Sequence, residues 1–196
     1  MRRVVPWIVG VLLLTAVLVI GLTQAREQPA AEPRAAEPFD LDEARRALVG
    51  APAPLAALHA QSARLLRGGP PAFRRRLAQL EGHPVVINKW ASWCGPCKAE
   101  FPAFQQLASE RGTEIAFLGL NAGDSSEPAR DFLAAYPVPF PSYVDPDEKI
   151  ARGLGVPANY PITVFVDAAG KTAFIHQGAY ATKAQLEADV DRYLSA

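Results

Sequence analysis

Cysteine is almost missing from this sequence: two occur in 196 residues, at positions 94 and 97. No framework of structural disulfides can be built from them, and the pair has no third thiol with which to scramble. Histidine is nearly as sparse. His59, His83 and His176 stand singly, whereas a metal site wants four ligands, with a second Cys or His pair at matching spacing. No metal and no cofactor is therefore expected. Neither sign of charge is in excess, since Lys plus Arg and Asp plus Glu each number 20. That argues against a nucleic-acid surface and against an acidic disordered tail. No internal repeat is present. The 49% hydrophobic composition suits one domain of ordinary size, with some chain left over.

The excess lies at the N-terminus. Arg2 and Arg3 precede an apolar run from Val4 to Leu22. About nineteen residues at ~1.5 Å each give roughly 28 Å, close to a bilayer core. The arginines favour a cytoplasmic N-terminus with the rest exported. Residues 1–23 are thus expected to be a signal-anchor, with cleavage near Thr23-Gln24-Ala25 as the alternative. No cysteine follows the run, which excludes a lipoprotein. The stretch 24–39, rich in Ala, Pro and Glu, reads as a linker. Residues 40–196 remain for the folded domain.

That domain is organised around Val85–Phe104. Val85-Val86-Ile87 is a short β-branched run, the pattern of a buried strand. Cys94-Gly95-Pro96-Cys97 follows, and then apolar residues recur at Cys97, Phe101, Phe104 and Ala108, one face of a helix. The cysteines therefore fall where a strand hands over to a helix N-terminus. There the unpaired N–H groups and the macrodipole stabilise a thiolate on Cys94. Gly95 leaves the backbone room, and Pro96 is tolerated in a first turn. Cys97, one turn on, can release a mixed disulfide formed through Cys94. A metal half-site or a purely structural bridge would place the same residues less purposefully.

Trp93-Cys94-Gly95-Pro96-Cys97 resembles the active site of the thioredoxin superfamily. Asn88-Lys89-Trp90-Ala91-Ser92-Trp93 and Lys98-Ala99-Glu100-Phe101-Pro102 resemble its TlpA/ResA branch of membrane-tethered thiol-disulfide oxidoreductases. The resemblance implies a thioredoxin-like three-layer α/β/α sandwich with a mixed sheet and an inserted βα unit. It implies a cis-proline at Pro161 facing the cysteines. With Tyr160, Trp93, Gly95 and Pro96, Pro161 would form the substrate-binding surface. Thioredoxins carry a buried aspartate where this chain has Asn88, which cannot ionise; the branch instead places a glutamate at the position of Glu100. As i and i+3 are neighbours on a helix, Glu100 is a candidate acid–base group for Cys97. The competing reading is a surface glutamate favoured by the helix start.

The rest of the chain reads as follows. A short helix is expected over Asp40–Leu48. Leu55, Leu58, Ser62, Leu65 and Leu66 run at helical spacing to a Gly68-Gly69-Pro70-Pro71 break, a departure from the branch, which usually has a strand hairpin there. A helix over Phe73–Leu80 should turn Phe73, Leu77 and Leu80 inward and Arg74-Arg75-Arg76 mostly outward. The active-site helix should be kinked at Pro102 and stopped by Gly112. Ile115–Leu120 is a strand. Asp124-Ser125-Ser126-Glu127 offers capping for the next helix, with Glu127 three residues after Asp124. Tyr143-Val144 is a short strand at most, and Glu148–Leu154 a short helix. Val164–Val166 and Thr172–His176 form a hairpin around Asp167–Lys171. Thr182 with Gln185 caps a C-terminal helix striped by Leu186, Val190 and Leu194.

These features point to an extracytoplasmic thiol:disulfide oxidoreductase. The Gly-Pro dipeptide is similar to that of reducing thioredoxins, so reduction of protein disulfides is the expected direction. The resemblance implies apocytochrome c thiols as a substrate class and a membrane thiol donor as electron source. An oxidase of exported proteins, or a peptide-binding module without turnover, are the alternatives. A peroxidase would want a Pro-X-X-X-Thr-X-X-Cys context, which is absent.

Overall fold

The computed structural model describes residues 38–194. The apolar run over 4–22 and nearly all of the proposed linker lie outside them. Among the described residues no helix is long and apolar enough to cross a membrane.

In chain order the elements are α1 (Leu41–Ala47), α2 (Ala53–His59), β1 (Leu65–Leu66), α3 (Gly69–Gln79), β2 (Val85–Trp90), α4 (Gly95–Arg111) and β3 (Ala116–Ala122). Then follow α5 (Ser126–Ala135), β4 (Ser142–Asp145), α6 (Lys149–Gly153), β5 (Ile162–Val166), β6 (Thr172–Gln177) and α7 (Lys183–Leu194). The sheet order is β1-β4-β3-β2-β5-β6. β1, β4, β3 and β2 pair in parallel, and β5 pairs antiparallel with both β2 and β6. Every residue of β2, β3 and β5 is buried, as expected when helices cover both faces of the sheet. This is a thioredoxin-like α/β sandwich with a mixed sheet.

Alternation along β2 assigns its side chains to two cores. Val86 and Trp90 face a cluster built from Phe101, Phe104 and Leu107 of α4, Phe132 of α5, and Leu186 and Val190 of α7. Val85 and Ile87 face the other, with Leu55 and Leu58 of α2, Phe73 of α3 and Ile150 of α6. Trp90 is the hub of the first core. Its ring stacks on Phe132 at 4.9 Å and meets Phe101 edge-on at 5.4 Å, and its indole N–H donates to Ser142 Oγ. Truncating a buried phenylalanine here, such as Phe101, would remove about 3–5 kcal/mol.

Three local expectations need correction. The leucine run 55–66 is not one helix: α2 ends at His59, Ala63 takes a left-handed φ of 57°, and Leu65-Leu66 becomes an edge strand beside β4. Leucines spaced for a helix also suit a half-buried edge, and the open hydrogen-bonding side of β4 decides between them. The active-site helix carries Pro102 in its interior, as expected. Gly112 does close it, but at a φ of −67°, so no left-handed cap is involved. A Cβ at Gly112 would lie 2.6 Å from Leu48 and 3.1 Å from the His59 ring, so the glycine is required for packing. Buried His59 then bridges the helix end, with its ring nitrogens against the carbonyls of Gly112 and Pro139. Finally, Asp124 does not cap α5; Ser125 holds the cap position. The Asp124 carboxylate is committed elsewhere, as described below. Phe73 and Leu80 are buried, and Arg76, alone of its triplet, is half-buried, donating to Gln61 and to the Tyr143 hydroxyl.

Candidate active site

Cys94 is the N-cap of α4. Its backbone is extended (φ −85°, ψ 104°), and its sulfur accepts a hydrogen bond of 3.1 Å from the Cys97 amide. Pro96 occupies the first turn, where its missing N–H leaves nothing unpaired. Cys94 and Cys97 are joined as a disulfide with their Cα atoms 5.3 Å apart. Both are buried, whereas Gly95 and Pro96 between them are exposed. The neighbouring Trp93 is the most conspicuous apolar side chain at this surface, 61% exposed.

The loop bearing the cysteines is fastened to the end of β3. Asp124 accepts from the Ser92 amide (2.7 Å), the Ser92 hydroxyl (3.0 Å), the Asn121 side chain (2.8 Å) and the Ser125 amide (2.7 Å). Sequence reasoning assigned Asp124 to the next helix and missed this tether. Its four bonds show a carboxylate shared between two segments 32 residues apart, which local spacing does not encode.

Glu100 lies one turn beyond Cys97 on α4 and is fully buried. Asn88 Nδ2 donates to one carboxylate oxygen at 2.7 Å, and the Tyr180 amide to the other at 3.2 Å. Burial pushes its pKa up from 4.5 to about 7, opposed by these two hydrogen bonds. Asn88 is thus brought together with Glu100 rather than merely replacing an acid. Tyr180, unremarked in the sequence, is held in place by its hydroxyl donating to Asp189 (2.7 Å) and by His176 stacked on its ring.

On the far side of the motif, the Tyr160–Pro161 peptide is cis and Pro161 is buried. Tyr160 meets Trp93 edge-on, with ring centroids 4.9 Å apart. Trp93 donates its indole N–H to the Gly123 carbonyl at 3.1 Å. The structure therefore brings Trp93, Cys94, Cys97, Tyr160 and Pro161 to one end of the sheet, with Glu100 behind. Among the described residues, no group of three His, Cys, Asp or Glu is placed to hold a metal ion.

A Cys-X-X-Cys disulfide at a helix start, at the same end of the sheet as a cis-proline loop, defines a thioredoxin-like redox protein. The AhpC/TSA family model matches residues 49–175. The chain is 32% identical over 121 residues to the thioredoxin-like protein YneN of Bacillus subtilis, covering 59% of this chain and 68% of that protein. It is 30% identical over 106 residues to the thiol-disulfide oxidoreductase ResA of the same organism, covering 54% of this chain but only 59% of ResA. A secreted disulfide oxidoreductase of Mycobacterium tuberculosis superposes with a TM-score of 0.52 at 27% identity, over 59% of this chain and 85% of that one. The chain belongs to the AhpC/TSA family, and within it to the thioredoxin-like thiol-disulfide oxidoreductases.

Proposed function

We propose that this protein is an extracytoplasmic, membrane-tethered reductase of protein disulfides. The observation that carries the reading is the Cys94–Cys97 pair capping α4, with a buried, protonatable Glu100 one turn behind it.

In the reduced protein the Cys94 thiolate attacks one sulfur of a substrate disulfide. A mixed disulfide forms, and the substrate's other sulfur leaves as a thiolate that takes a proton from water. Cys97 then gives its proton to Glu100 and attacks Cys94 Sγ. The second substrate sulfur departs and is protonated, and the protein is left with the Cys94–Cys97 disulfide. Two electrons have passed to the substrate. A membrane dithiol donor restores the reduced form by the same exchange in reverse. Trp93, Gly95, Pro96, Tyr160 and Pro161 border the sulfurs and supply the surface on which an extended substrate segment lies.

Location outside the cytoplasm is supported by the Arg2-Arg3 and Val4–Leu22 pattern and by similarity to a disulfide oxidoreductase described as secreted. Apocytochrome c thiols are the substrate class suggested by the likeness to the TlpA/ResA branch. The direction is tested by the equilibrium reduction potential of the exported domain. A value near that of thioredoxin, about −270 mV, supports a reductase; one near about −120 mV makes it an oxidase. Protease accessibility of the domain in intact spheroplasts tests the location.

A further inference from the structure

Lys89 is the penultimate residue of the central strand β2, and it is completely buried. A leucine or phenylalanine would fill such a position with no charge to desolvate, so a buried ion pair here needs a reason other than stability. Its surroundings are specific. The ammonium meets Glu148 Oε2 at 2.9 Å and the Pro157 carbonyl at 2.9 Å, and lies 4.0 Å from the centroid of the Tyr160 ring. The other oxygen of Glu148 accepts from the Tyr160 hydroxyl at 2.9 Å. Both the face and the hydroxyl of Tyr160 are therefore gripped by one ion pair.

Glu148 adds a second observation. It sits at the head of α6 with a left-handed φ of 54°, a backbone state in which glycine is at ease and glutamate is not. Its side chain makes no cap hydrogen bond to α6, so helix capping does not explain the residue. Burial raises the Glu148 pKa, but the hydrogen bonds from Lys89 and Tyr160 outweigh it and hold the carboxylate below its usual range. Gly123 completes the packing: a Cβ there would approach the Tyr160 hydroxyl to 2.7 Å and Glu148 to 3.1 Å. Its carbonyl is the acceptor for Trp93.

We infer that Lys89 and Glu148 are positioning residues for substrate recognition: as a buried ion pair they lock Tyr160, and through it the exposed Trp93, into a rigid aromatic ledge on which an extended polypeptide disulfide docks. The inference rests on the thiol-disulfide reading of the same site. Lys89 touches neither sulfur in this arrangement of contacts; it acts through Tyr160. Its removal should therefore weaken docking of polypeptides while leaving attack on the disulfide bond itself comparatively untouched.

The test compares a disulfide-bonded peptide of about ten residues with a small aromatic disulfide, Ellman's reagent, as substrates of the reduced full chain. Lys89→Met keeps the length and apolar stem and removes the charge; Glu148→Gln breaks the ion pair while keeping the side chain's shape and serves if Lys89→Met does not fold. For either variant the peptide KM should rise about fivefold relative to that of the small reagent, with kcat for the peptide largely kept, as expected when one net interaction is lost from binding alone. An unchanged peptide KM, or an equal loss with both substrates, overturns the inference. Acrylamide quenching of Trp93, taken as the difference from Trp93→Phe, reads the ledge without turnover. Quenching should rise about twofold in Lys89→Met as the indole loosens; no change overturns the positioning role. Should wild type exchange with Ellman's reagent but not with the peptide, the polypeptide-substrate reading itself fails, and the quenching result still judges whether Lys89 holds the ledge.

Discussion

The two faces of β2 carry two acidic centres that behave in opposite ways. On the side of Asn88, Glu100 is enclosed, meets only neutral donors, and has its pKa raised to about 7. On the side of Lys89, burial also pushes Glu148 upward, yet hydrogen bonds from Lys89 and Tyr160 prevail and keep it ionised. Two things differ between them: Glu148 is less deeply buried, a quarter exposed against none for Glu100, and its nearest donor carries a charge. An amide partner leaves a carboxyl able to gain and lose a proton near neutrality, the property an acid–base group needs. An ammonium partner holds a fixed charge, the property a scaffold needs. Asn88 and Lys89 are adjacent residues, and the pleat sends them to opposite sides.

The largest expected effect tests which sulfur begins the reaction on the Glu100 side. Cys94→Ser should abolish exchange and trap no substrate, whereas Cys97→Ser should accumulate the mixed disulfide, seen as a reducible adduct by mass spectrometry. Equal trapping by both would remove Cys94 from the role of nucleophile. Next, Glu100→Gln keeps the shape and the Asn88 contact but cannot take a proton. Release of the mixed disulfide, followed by rapid quench, should slow by about 100-fold near neutral pH. A wild-type release rate and pH profile would make Glu100 structural only.

The same carboxyl should show in stability. Its folded pKa lies above the unfolded value, so the fold binds the proton more tightly. The stabilisation is complete below about pH 4.5 and is lost as pH rises through about 7. The loss is on the order of 3 kcal/mol. Urea titrations of the oxidised protein across that window should show a decline in wild type that is missing from Glu100→Gln. Parallel curves would break the contrast between the two faces.

Glu148→Ala should lower stability by about 3 kcal/mol, because it strands a buried ammonium. Lys89→Met should be milder, since the orphaned carboxylate is a quarter exposed (24%) and can be hydrated. Denaturant midpoints read this order, and its reversal would show that the pair is not organised around Lys89. The smallest effect is expected for Gly123→Ala, about 1–2 kcal/mol. There a left-handed φ of 58° and the approach to the Tyr160 hydroxyl act together.

By itself the amino-acid order determined what is local: β2 from a β-branched run, the helix start at Cys94-Gly95-Pro96-Cys97, the start of α7 where Thr182 Oγ1 accepts from the Gln185 amide, and the i,i+3 relation of Cys97 and Glu100. These follow from hydrogen bonds and side-chain periods within a few residues of one another. Only the tertiary structure decided the rest. Leu65-Leu66 became a strand because β4 offered an edge, and Asp124 left its helix to tie down Ser92. Tyr180 reached Glu100 across 80 residues, and Lys89 found Glu148 across 59. The partners of a buried charge or amide are chosen by which chain segments packing brings within about 3 Å. Spacing along the sequence carries no record of that distance.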